Sequence, residues 1–130
     1  MIPLRRVLLV EDEHDIQTVA RLALEDIGGF ELHVCASSEA ALDEAPAFAP
    51  QLVLLDDMLP GMSGRDAMRA FAGSEPLADV PVVFLTARAQ HDEVAEYRRL
   101  GALGVITKPF DPMTLAQQVE ALWQRRSSAS

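Results

Sequence analysis

Residues 7–10, 52–55 and 82–85 are apolar at every position rather than at alternate ones. A strand with one wet face alternates, so uninterrupted runs of this length mark strands covered on both faces, as in parallel sheets. Residues 32–35 and 104–106 supply two further strand-like stretches. Helical patterns fill the gaps. Ile16, Val19, Ala20, Ala23 and Ile27 follow helical spacing, and Gly28-Gly29 then supplies a stop. Leu115, Val119, Leu122 and Trp123 form a second apolar stripe after Pro112. Residues 38–45, 65–72 and 92–100 are weaker helices. A strand followed by a helix, five times over, predicts an α/β fold with helices on both faces of a five-stranded parallel sheet.

At 130 residues this is one domain, expected over 1–126 with a frayed Ser-rich tail over 127–130. The formal net charge of -9 argues against nonspecific nucleic-acid binding, which needs cations to displace phosphate counterions. Cys35 is the only cysteine, which excludes an intrachain disulfide and suits a reducing compartment. The run behind Arg5-Arg6 is too short for a signal-peptide core or a membrane span. A soluble, cytoplasmic protein is expected.

In such sheets ligands bind beyond the carboxyl ends of the strands. The first strand ends in Glu11-Asp12-Glu13 and the third in Asp56-Asp57. Thr86-Ala87 ends the fourth, and Thr107-Lys108-Pro109 the fifth. Carboxylates from two strands should therefore converge beside a hydroxyl and an ammonium. At ~4 Å and an effective dielectric near 20, each like-charged pair costs on the order of 4 kcal/mol. Lys108 and a bound divalent cation would offset that, and Mg²⁺ suits two carboxylates, a backbone carbonyl and waters. Lys108 is the only lysine, the other cations all being arginine. A phosphoryl group beside a carboxylate is one reason to keep a compact ammonium there, and chance is the other.

The segments VLLVEDE, LVLLD followed by DMLPGMSG, VVFLTAR and ITKPF occur in this order, each at a strand end. Together they resemble the receiver domain of two-component response regulators over nearly the whole chain. The resemblance implies a flavodoxin-like (βα)5 fold with strand order 2-1-3-4-5. It makes Asp56 the acceptor of a phosphoryl group from a histidine kinase or a histidine phosphotransfer protein. It implies Mg²⁺ held by Asp12, Asp56 and the Met58 carbonyl, with Glu11 acting through a metal-bound water. Thr86, Lys108 and the Ala87 amide would contact phosphoryl oxygens, and Lys108-Pro109 would be a cis peptide. Slow self-dephosphorylation is part of the same expectation. A downstream target or a second copy would dock on the face of the fourth helix, fifth strand and fifth helix.

Two rivals stand beside this reading: a pseudo-receiver that takes no phosphate, and a small Mg²⁺-dependent phosphatase of the haloacid dehalogenase type. The second normally needs an acid where this chain has Met58. Asp12 and Asp56 taken singly could be helix caps. His14, His33 and His91 show no metal-ligand spacing, and Cys35 reads as a packing residue. Asp57 is expected to point to solvent. Where the family usually carries an aromatic on the fifth strand, three residues before the lysine, this chain departs with Val105, which has no long lever to couple to Thr86. Arg88, Arg98 and Arg99 are expected on the fourth helix as solvated cations or a docking patch.

Overall fold

The computed structural model describes residues 2–87 and 90–129. Five strands, β1 (Arg6–Val10), β2 (Glu31–Cys35), β3 (Leu52–Asp56), β4 (Val82–Thr86) and β5 (Gly104–Thr107), form one parallel sheet in the order β2-β1-β3-β4-β5. Between and after them lie α1 (His14–Arg21), α2 (Ser38–Phe48), α3 (Gly64–Ala72), α4 (His91–Arg99) and α5 (Leu115–Ala129). β3 and β4 are buried at every residue, as their unbroken apolar runs require.

Strand alternation divides the core in two. Val7, Leu9, Leu54 and Leu85 face a layer containing Leu24, Leu115, Val119 and Trp123. Leu8, Val10, Leu55 and Phe84 face Ala41, Ala45, Phe71 and Tyr97 on the other side. Val10 lies opposite Leu55, Asp56 opposite Leu85, and Thr86 opposite Thr107. The carboxyl ends of these central strands therefore open on one edge.

The first helix departs from its expected winding. α1 passes into a π-helical turn over Leu22–Ile27, and the Gly28 amide donates to the Ala23 carbonyl five residues back. The wider turn rotates the later residues out of the α-helical stripe. Leu24 is fully buried there and Ile27, expected on the buried stripe, is exposed; Val19, also expected on that stripe, is exposed ahead of the turn. At the other terminus, α5 runs to Ala129.

Two helix starts near the site edge are capped by side chains. Ser37 Oγ accepts from the Ala40 amide ahead of α2, and Ser63 Oγ accepts from the Asp66 amide ahead of α3. Gly64 is where α3 meets the end of β3. A Cβ there would lie 2.4 Å from the Asp56 carbonyl oxygen and 2.8 Å from Asp57 Cα, so only glycine permits this approach.

Candidate functional site at the carboxyl edge of the sheet

Glu11 follows β1 directly and is fully buried, with its amide donating to the Cys35 carbonyl at 3.0 Å. One carboxylate oxygen accepts from the Glu13 amide at 3.1 Å, and the other accepts from Lys108 Nζ at 2.6 Å. Asp56, at the end of β3, is 3% exposed. Its Oδ1 accepts from the Met58 amide at 3.0 Å, and its Oδ2 lies 3.3 Å from Lys108 Nζ. Asp12 is exposed at the same edge, and carboxylate oxygens of Glu11, Asp12 and Asp56 all lie within 4.8 Å of one another. This acidic cluster can hold a metal ion.

One ammonium thus bridges two buried carboxylates. Burial pushes the Glu11 carboxyl above its ordinary range, and the Asp56 charge pushes it the same way, against the hydrogen bonds from Lys108 and Glu13. Burial works against the Lys108 charge, but the hydrogen bond to Glu11 and the negative charges of Asp56 and Glu11 outweigh it. Lys108 is therefore held cationic, with its pKa above the usual lysine value.

Thr86 ends β4 and is buried, and Ala87 beside it is exposed. The Lys108 amide donates to the Thr86 carbonyl at 2.9 Å, which fixes the end of β5 against the end of β4. The Lys108–Pro109 peptide is cis. Residues Glu11, Asp12, Asp56, Met58, Thr86, Ala87 and Lys108 all sit at this one edge, on the ends of four different strands.

Asp57 corrects the expectation of a solvent-facing side chain. It is 6% exposed, and its Oδ2 accepts from Tyr97 Oη at 2.7 Å and from Arg65 Nε at 3.2 Å. A buried carboxylate is tolerable only with such partners. Tyr97 is itself fully buried in α4, stacked on Phe84 with ring centroids 4.6 Å apart, and its hydroxyl also lies 3.5 Å from Thr86 Oγ1. Arg65 continues the chain by pairing with Glu96, and its guanidinium sits 5.0 Å from the Tyr97 ring centroid. Neither Tyr97 nor Arg65 was singled out from sequence as a site residue. The only available signal was a lone tyrosine on a helix otherwise poor in large apolar residues.

Other expected positions fall elsewhere. His14 and His91 are exposed at the starts of α1 and α4. His33 has more company than its spacing suggests: its Nε2 lies 2.7 Å from Glu44 Oε1, and that group and Cys35 form a small donor cluster on the β2–α2 face. Arg98 and Arg99 are exposed on α4, and Arg88 lies outside the described residues.

A family model described as the response regulator receiver domain matches residues 7–120. The phosphate regulon transcriptional regulatory protein PhoB of Escherichia coli K12 is 36% identical over 123 residues, which cover 95% of this chain and 53% of that regulator. The chain thus spans about half the length of this curated relative. The chemotaxis protein CheY of Pseudomonas aeruginosa is 28% identical over 127 residues, covering 92% of this chain and 97% of that protein. The structure of the chemotaxis response regulator CheY4 of Vibrio cholerae superposes with a TM-score of 0.84 at 26% identity, over 92% of this chain and 98% of that one. The strand order agrees with these matches, and the chain belongs to the response regulator receiver domain family.

Proposed function

We propose that this domain accepts a phosphoryl group on Asp56 from a phosphohistidine donor and signals through the resulting change of surface. The observation that carries the reading is a buried acceptor-type carboxylate whose Oδ2 lies 3.3 Å from a lysine held cationic, at the strand-end edge where ligands of this fold bind. In the transfer, an Asp56 oxygen forms the bond to phosphorus as the phosphorus–nitrogen bond of the donor histidine breaks. The electron pair leaves with the imidazole, which takes up a proton. In this reading Lys108 and the Ala87 amide meet charge on the equatorial oxygens, and the Thr86 hydroxyl is a further donor. Water attacking the same phosphorus breaks its bond to the Asp56 oxygen, releasing inorganic phosphate and restoring the Asp56 carboxylate.

The cluster fits Mg²⁺ by its chemistry. It offers only oxygen donors, and one of them, Asp12, is exposed to solvent. Asp12, Asp56 and the Met58 carbonyl would hold the ion, with Glu11 acting through water. Bound there, Mg²⁺ supplies screening of the charge brought in by the phosphoryl group. Glu11 and Lys108 are fixed against each other by their 2.6 Å hydrogen bond.

The donor is a histidine kinase or a histidine phosphotransfer protein. An apolar groove of about 340 Å³, lined by Ile16, Val19, Pro109 and Phe110, borders Lys108 and Ala87 and offers a donor an apolar surface beside the acceptor. The exposure of Val19 there follows from its place in this groove. Output passes to a protein target or a second copy on the α4–β5–α5 face. Among the described residues no helix is long and apolar enough to cross a membrane, which is compatible with a cytoplasmic setting.

The test is incubation with phosphoramidate and Mg²⁺ followed by intact mass. One phosphoryl adduct on the wild-type chain, lost in Asp56→Ala, is expected. An adduct that persists in Asp56→Ala, or no adduct with either phosphoramidate or a phosphorylated histidine phosphotransfer protein, overturns the proposal.

A further inference from the structure

Buried Asp57 and Tyr97, with the half-buried Arg65, lie beside the acceptor yet take no part in the chemistry proposed above. Asp57 is the residue next to Asp56, and its carboxylate anchors the Tyr97 hydroxyl at 2.7 Å. The same hydroxyl is 3.5 Å from Thr86 Oγ1, a phosphoryl-facing group in the proposed site. Tyr97 belongs to α4, and Val105 of β5 packs against the cluster that contains Tyr97 and Phe84. The aromatic expected on β5 is thus absent from β5, and a buried aromatic stands on α4 instead. Arg65 ties Asp57 to Glu96, the residue before Tyr97, so α3 and α4 are joined through the same carboxylate.

From this geometry we infer that Tyr97, anchored by Asp57, is the positioning residue that senses the Thr86 hydroxyl and carries its displacement into α4. The inference rests on Asp56 being the phosphoryl acceptor. A hydroxyl has one proton to donate and a limited number of good directions. When Thr86 Oγ1 turns toward phosphoryl oxygens, its contact with Tyr97 is lost. The tyrosine then keeps only its Asp57 and Arg65 partners, and the ring and the helix that bears it must adjust. Interiors are close-packed, so such an adjustment passes to α4 rather than dissipating in empty space. Valine at position 105 has no polar tip with which to do this.

Tyr97 is the only tyrosine, so uniform 3-fluorotyrosine labelling gives one protein ¹⁹F resonance. Beryllofluoride with Mg²⁺ serves as the phosphoryl mimic, and its own bound fluorides report occupancy of Asp56 separately. The expected result is a new tyrosine resonance at the same beryllofluoride concentration that produces the bound fluoride signals. In unlabelled protein, Tyr97→Phe keeps the ring but removes the hydroxyl. In that variant beryllofluoride still binds, α4 amides exchange roughly fivefold or more faster than wild type before the mimic is added, and the mimic changes them little further. Val105→Ala, a control for the β5 position, retains the wild-type α4 response. An unmoved tyrosine resonance in the presence of bound fluoride signals overturns the inference and leaves the acceptor role of Asp56 intact. A full α4 response in Tyr97→Phe does the same. Absence of bound fluoride signals in the wild type overturns both.

Discussion

Replacing Lys108 by methionine isolates the electrostatic core of the site. The change keeps much of the apolar stem but removes the ammonium that sits 2.6 Å from Glu11 and 3.3 Å from Asp56. Glu11 is fully buried, so it is left as a charge with only the Glu13 amide in its support. Removing one partner of a buried pair costs about 3–5 kcal/mol, and the lower end applies here because Lys108 is 15% exposed and water can follow it in. With a urea m-value of about 2 kcal/mol/M, a loss near 3 kcal/mol moves the unfolding midpoint down by about 1.5 M. The loss depends on pH with a definite sign. Burial already raises the folded pKa of Glu11 above 4.5, and losing Lys108 raises it further. Between the unfolded and folded values the native state binds the extra proton, so stability falls as pH rises through that window. The limiting slope for one proton is about 1.4 kcal/mol per pH unit. Trp123, the sole tryptophan and 4% exposed in the core, reports unfolding by its fluorescence. Urea titrations from pH 5 to 8 without Mg²⁺ should show Lys108→Met closest to wild type at the acidic end. A midpoint within about 0.3 M of wild type at pH 8 would refute the argument that Lys108 compensates a buried Glu11 charge.

Gly64→Ala drives a Cβ to within 2.4 Å of the Asp56 carbonyl oxygen, and backbone must move. About 2 kcal/mol of stability should be lost in the same urea assay, together with slower phosphoryl uptake from phosphoramidate. The Cys35 thiol is pushed up to about 12, chiefly by burial and then by the Glu44 charge. Its reaction with an aromatic disulfide at pH 8 should be more than about a hundredfold slower in the native protein than in urea. Millimolar Mg²⁺ should raise the melting temperature of the wild type, and Asp12→Ala should abolish most of that rise, measured by thermal unfolding at fixed ionic strength.

The sheet was legible because residues 52–55 and 82–85 admit no solvent-facing position, and a chain containing several such runs has few alternatives to a parallel sheet. The acidic edge followed from topology, since strand ends in one parallel sheet share an edge wherever the intervening helices lie. What depends on helix phase was less legible. Ile27 leaves the core because the winding widens at Leu22–Ile27, and no Pro or Gly marks that turn in advance. Asp57 was misjudged for a related reason. Its two partners lie 8 and 40 residues along the chain, on α3 and α4, and only the docking of those helices turns a solvent-type residue into a buried anchor.

Two adjacent aspartates at the end of β3 make the acceptor assignment open to direct chemical mapping. Asp57 is engaged by Tyr97 and Arg65, whereas Asp56 faces Lys108 and the acidic cluster. Borohydride reduces an acyl phosphate to the alcohol, so phosphorylated protein reduced, digested and sequenced by mass spectrometry carries homoserine at the modified residue. Homoserine at position 56 alone is the predicted outcome. Homoserine at position 57, or at another acid with position 56 unmodified, contradicts the account.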